Sequence, residues 1–266
     1  MAQADPIAPP AGPDAFVSEL LHIESSPRWV RAYFGGIPII DSRGALLLRE
    51  RGHTPVYYFP KADVRRDLLV DSEHRTHCPH KGDARYWSIR VGERSVENAV
   101  WCYAEPLPGG PDLSGYLAAY WHAMDAWFEE DDPVYVHPRD PYKRVDVLTS
   151  SRAVQVVVGG EMVADTRRPR LLFETGLPTR HYMPKMDVRL ELLIESDTRT
   201  RCPYKGEARY YSVRAGGRLY SDIAWYYPYP VPECPKIENL VCFFDEHVDQ
   251  IRVDGEVMPK PRTPWS

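Results

Sequence analysis

Residues 76–90 read "THCPHKGDARYWSIR", and residues 200–214 read "TRCPYKGEARYYSVR". In both stretches a Cys-Pro-x-Lys-Gly turn opens onto alternating small, basic and aromatic residues, the pattern of a strand that leaves a tight turn. The likeness extends outward without a gap, so that residues 28–125 align with residues 152–249. Gly35-Gly36 pairs with Gly159-Gly160, Asp41 with Asp165, Glu50 with Glu174, and Pro60-Lys61-x-Asp63-Val64-Arg65 with Pro184-Lys185-x-Asp187-Val188-Arg189. Downstream, Trp101-x-Tyr103 matches Trp225-x-Tyr227. A period this long exceeds that of a solenoid unit, about 20 to 50 residues, so each copy is a domain.

The boundary falls in "HPRDPYKRVDVLTSS", residues 137–151, where Pro138 and Pro141 interrupt regular structure. The expected organisation is a Pro-rich leader over 1–27, a first repeat over 28–148 and a second over 149–266. "WVRAYFGGIPIIDS" and "AVQVVVGGEMVADT" read as hairpins whose Gly-Gly turns need positive φ. "VYYFP", "DLLVDS" and "NAVWCY" read as further short strands. One short helix per copy is expected from helical spacing: Leu113, Tyr116, Leu117, Tyr120, Trp121 and Met124 after Asp112, and Ile237, Leu240, Val241, Phe244 and Val248. The fold class is therefore mainly β, two tandem domains of antiparallel strands with one short helix each.

The charge balance, 33 basic against 38 acidic residues, lacks the basic excess of a nucleic-acid binder. No apolar run approaches the roughly 18 residues that span a bilayer. The N-terminal 13 residues lack the charged and apolar regions of a secretion signal. A cytoplasmic protein is expected, with no nucleic-acid or membrane partner. Its five cysteines include no C-x-x-C pair, which argues against a closed structural metal site and for free thiols at Cys78 and Cys202. No metal and no other cofactor is expected.

The shared T-x-C-P-x-K-G-x-A-x-Y-[WY]-S motif, with Y-x-P-K-x-D-V-R before it and W-x-Y after it, closely resembles the domain-of-unknown-function 427 family in tandem form. The resemblance covers almost the whole of both copies. It implies a β-tent, two antiparallel sheets pinned at one edge, as in methionine sulfoxide reductase B and the thalidomide-binding domain of cereblon. Several relatives pin the sheets with four cysteines and zinc, whereas one cysteine per copy is shared here, so packing must hold the apex. The family also carries a nucleotidyltransferase label. The Gly-Ser and Asp-x-Asp elements that hold metal and triphosphate in such enzymes are absent from this sequence.

Several repeated residues could carry chemistry. Cys78 and Cys202 are the catalytic candidates, because an ammonium three residues on could favour the thiolate; a buried thiol in a packed turn is the competing reading. Lys81 and Lys205 lack the Gly-x-x-x-x-Gly of a phosphate loop, but could bind an anion if Arg75 and Arg65, or Arg199 and Arg189, converge on them. Glu50, Asp63, Glu174 and Asp187 suit loop-fixing ion pairs, or acid–base work if two share a cleft. Tyr58, Tyr86, Trp101 and Tyr103, with Tyr182, Tyr210, Trp225 and Tyr227, are either core or a pocket wall. His77 and His80 face Arg201 and Tyr204 in the other copy, which excludes a shared His–Cys pair.

Taken together, these residues give one cleft per domain, with Glu50, Tyr58, Arg75, Lys81 and Trp101 and their equivalents Glu174, Tyr182, Arg199, Lys205 and Trp225 as ligand contacts. The expected ligand is a small anionic or amide-containing molecule. An enzyme, thiol-dependent or transferring, and a module for protein association, including a homo-oligomer, stay open.

Overall fold

The structure, a computed structural model, describes residues 16–18, 20–263 and 266; residues 1–15 of the expected leader lie outside them. The chain divides into two units between Asp140 and Pro141. Both are built almost wholly of antiparallel strands, and no helical segment among the described residues exceeds three residues.

In the first unit a large sheet runs in the order Phe16–Val17, Leu21–Ser25, Leu46–Glu50, Val56–Pro60, Tyr116–Ala119, Arg94–Tyr103, Gly82–Val91 and Leu69–Cys78. A small sheet holds Asp132–Pro133, Ala126–Glu129, Val30–Phe34 and Ile37–Ser42. The second unit repeats this plan, except that its large sheet is split. Val145–Thr149, Arg170–Glu174 and Arg180–Tyr182 form one part; Leu193–Cys202, Gly206–Ala215, Arg218–Tyr226 and Cys242–Phe243 form the other. A single Met183–Val241 bridge joins them. Its small sheet holds Glu161–Thr166, Val154–Val158, Gln250–Val253 and Glu256–Val257.

The Gly-Gly hairpins form as read. Gly35 and Gly36 take φ of 61° and 77°, and a side chain on Gly159 would come within 2.7 Å of the Ala215 carbonyl oxygen. Only glycine meets both demands.

Period-two alternation divides each large sheet between two clusters. In the first unit Leu47, Tyr57, Phe59, Ile89, Val100, Cys102, Leu117 and Ala119 pack onto the small sheet. Leu46, Leu48, Tyr58, Ala84, Tyr86, Trp101, Tyr103 and Ala118, pointing the other way, build a second cluster. The sheet is thus buried on both faces, and the lysine turn belongs to the second cluster.

Three expectations are corrected. The segment with helical spacing is the strand Tyr116–Ala119 followed by a single 3-10 turn, Trp121–Ala123; in the second unit Ile237 ends the 3-10 turn Pro235–Ile237, and the segment continues into the strand Cys242–Phe243. An apolar run buried on both faces of a sheet satisfies a period of 3.6 as readily as a strand's. The leader does not extend to residue 27, because Leu21–Ser25 is a strand paired with Leu46–Glu50. The second domain begins before residue 149, because Val145–Thr149 is the equivalent strand and pairs with Arg170–Glu174. Both errors have one cause: "LHIES" and "VDVLT" share no identity, so identity could not reveal the first strand of either copy.

No helix among the described residues is long and apolar enough to cross a membrane.

Candidate functional site

The Cys-Pro-x-Lys-Gly turn joins two ten-residue strands in each unit, with Cys78 opposite Gly82 and Cys202 opposite Gly206. Gly82 and Gly206 take φ of 94° and 104°, and a Cβ on either would stand 3.1 Å from a carbonyl oxygen, that of Glu105 or Tyr229. The turn therefore tucks under the following loop and draws its lysine inward. Lys81 is only 7% exposed.

The buried ammonium needs a partner, since an isolated charge away from water is costly. Lys81 Nζ donates to Glu50 Oε2 at 2.5 Å, and Lys205 donates to the equivalent Glu174. Glu174 also receives Lys143 Nζ at 3.1 Å. Burial alone would raise the Glu174 carboxyl, but the two lysines outweigh it and hold it below the usual carboxylate range. Burial would likewise lower Lys205, yet Cys202 and Glu174 leave it raised. The lysine expected to meet an anion from solvent is thus already neutralised by a glutamate from the far side of the sheet.

Around this pair stand the aromatic residues. Trp101 meets Tyr58 edge-on at 6.3 Å, and Trp225 meets Tyr182 in the same way while its Nε1 donates to the Tyr182 hydroxyl at 3.1 Å. Lys81 lies 5.9 Å from the Tyr103 ring. Burial pushes the phenols of Tyr58, Tyr103, Tyr182 and Tyr227 up, so all four remain neutral donors. From Trp101 the stack continues outward. Tyr120 lies 4.6 Å from Trp101 and stacks on Tyr86 at 6.5 Å, with His74 and His122 at the margins. Tyr120 is 38% exposed, and its phenol is pushed up to about 12 by burial and then by its bond with Tyr86.

In the second unit Phe244 takes the place of Tyr120, 4.5 Å from Trp225. The Arg180 guanidinium stands over both rings, tied to Asp245 at 2.9 Å and Glu246 at 2.7 Å. Tyr120 and Phe244 are hidden in the sequence because both fall at the helical spacing of their segments. The signal that could have found them is their place one residue beyond a strand whose alternate residues enter the same cluster.

The remaining candidates separate. Cys78 is half-buried and packs against the aromatic cluster. Arg75 and Arg199 do not join the lysines. Each guanidinium instead caps carbonyls of its own strand, Ser72 and His74 at 2.5 and 2.6 Å and Ser196 and Thr198 at 2.7 and 2.8 Å. Those carbonyls are unpaired by the bulge that interrupts the register between Asp71 and Arg75 and between Glu195 and Arg199, so the arginines serve the bulge. Arg65 is fixed by Asp67 and Arg189 by Glu191. Asp63 and Asp187 accept hydrogen bonds from Ser42 and Thr166, on a different part of the unit from Glu50 and Glu174. His77 faces outward onto Asp83 at 2.6 Å, as Arg201 does onto Glu207 at 3.0 Å. Among the described residues, no three His, Cys, Asp or Glu side chains are grouped to hold a metal ion.

The family comparison agrees with this duplicated geometry. The chain belongs to the family described as Domain of unknown function (DUF427), whose model matches it twice, at residues 22–130 and 146–254. Both matches begin within the strand that identity had concealed. No curated protein matches the chain.

Proposed function

We propose that this tandem member of the family is a binding protein, each domain holding a small planar amide-bearing molecule against its aromatic face. The supporting observation is the stack that runs from buried Tyr58 through Trp101 to half-exposed Tyr120, which offers a flat apolar surface at its outer end. An amide fits better than an anion, because the nearest buried cation is matched by Glu50. The same pairing weakens the reading as a thiol enzyme: the ammonium that would assist a nucleophilic thiol is already engaged by Glu50.

The test is a calorimetric titration of the full chain with nicotinamide. Saturable binding is expected, weakened about ten-fold in the first domain by Tyr120→Ala and in the second by Phe244→Ala, the scale of one lost aromatic contact. Absence of saturable binding, or indifference to both substitutions, refutes the reading.

A further inference from the structure

The opposite face of the first domain's large sheet carries a separate cleft of 280 Å³, lined by Lys61, Arg66, Leu69, Asp71, Trp87 and Leu117. It lies on the side of Trp87 and Leu117, which pack with Cys102 toward the small sheet, and not on the side of Trp101 and Lys81. The second domain carries a different set of side chains at the equivalent positions. There Tyr226 occupies the position of Cys102 and Tyr211 that of Trp87, and the two rings stack at 5.0 Å with an interplanar angle of 17°. Lys185, the counterpart of Lys61, stands over them, 4.3 Å from Tyr226 and 5.9 Å from Tyr211.

In the first domain Cys102 replaces that ring with a thiol. Trp87 is left half-buried where Tyr211 is only 7% exposed, and among the described residues no aromatic ring lies under the Lys61 ammonium. A second change acts in the same direction, for Arg66 stands where the second domain has Leu190. Against these two cations Asp71 is the one acid lining the cleft, which leaves a single positive charge unmatched. Neither Lys61 nor Arg66 forms an ion pair with an acidic side chain of the described chain.

We propose that this cleft binds a hydroxylated aromatic carboxylate, whose ring takes the place of Tyr226 against Trp87. Its carboxylate meets Lys61 and Arg66, and its hydroxyl donates to Asp71. The volume suits one substituted ring, since a dry cavity of about 150 Å³ already admits benzene. A Trp face and two converging cations together recognise an aryl acid by stacking and by charge-assisted hydrogen bonds. Burial pushes the Cys102 thiol up against the opposing pull of Lys61 and Arg85, so the side chain that stands where Tyr226 does is uncharged.

The experiment titrates the full chain with 4-hydroxybenzoate and, in parallel, with neutral 4-hydroxybenzyl alcohol. One equivalent of the acid should bind with a dissociation constant in the millimolar range or tighter, as befits a ligand of about ten heavy atoms. The alcohol should bind at least about ten-fold more weakly, for loss of the charge-assisted contacts. Cys102→Tyr, which puts a ring where the second domain has one, should abolish binding. Arg66→Leu, an exposed change that spares the fold, should weaken it about ten-fold. Lack of saturable binding by the unaltered chain overturns the proposal, as does an affinity that neither substitution changes.

Discussion

Around the lysine turn the two domains solve one problem in one way; around Cys102 and Tyr226 they part. Both bury an ammonium beneath a glycine turn and match it with a glutamate at the end of a strand distant in the sheet order. The pair ties together two strands that do not pair directly, so losing either member would release the turn as well as strand a charge. Positions on the sheet faces carry no such double duty. There Arg28, Glu129 and Tyr57 form a partly buried network in the first domain, while the second has His181 at the Tyr57 position and its own ion cluster of Arg180, Asp245 and Glu246. What the duplication kept is the element that fixes the backbone, and what it varied is what fills the space on either side.

The largest effect should come from the shared pair. Glu174→Ala leaves Lys205 buried and Lys143 beside it, and should cost the second domain about 3–5 kcal/mol in denaturant unfolding, the usual result of breaking a buried pair. Glu50→Ala leaves one ammonium and should cost less; equal losses would remove Lys143 from the account.

Next comes the position that distinguishes the domains. Tyr226→Cys deletes a stacked, buried ring and should cost the second domain about 2–4 kcal/mol. The reverse change, Cys102→Tyr, enters an existing cleft and should alter stability by less than about 1.5 kcal/mol. If the reverse change is as damaging, the first cleft is not a vacant copy of the second domain's packing.

A smaller difference should appear with pH. Burial, then the charges of Arg180 and Arg152 against the opposing pull of Asp245, hold His181 below its ordinary value. The unfolded chain therefore accepts a proton that the folded domain resists. The contribution is fully present above the unfolded value of about 6.5 and is lost as pH falls from there toward the folded one, at no more than about 1.4 kcal/mol per pH unit. Tyr57, the counterpart in the first domain, is pushed up by burial and by Glu129 and does not titrate in this range. Unfolding midpoints at pH 7.5 and 5.5 should show the extra loss in the second domain, and His181→Gln should remove it.

The smallest effect should be symmetric. Arg75→Ala and Arg199→Ala each remove exposed bonds to bulge carbonyls and should cost less than about 1 kcal/mol apiece, with no change in ligand affinity. A loss of affinity in either would return the arginines to the binding site.

Much of this was legible in residue order, because its causes are local. The Gly-Gly and Lys-Gly turns need positive φ, a property of the residue itself, and the ungapped duplication preserves strand lengths and therefore which residues share a face. Glu50 and Lys81 could be named from the repeat alone. Their contact could not, since it joins residues 31 positions apart through the curl of a sheet buried on both sides. For the same reason the strand Tyr116–Ala119 passed for a helix: with both faces buried, its composition loses the alternation that marks a strand.

Residue order alone shows that the chain is two copies of one mainly antiparallel domain and that each carries a Cys-Pro-x-Lys-Gly turn. The three-dimensional packing alone shows that the lysine faces a glutamate rather than solvent, that Arg75 serves a bulge, and that Tyr226 stacks on Tyr211 where the first domain has Cys102 and Trp87. Backbone conformation is set by neighbours in the chain, whereas the partner of a charge and the filling of a space are set by whatever the folded sheets bring opposite.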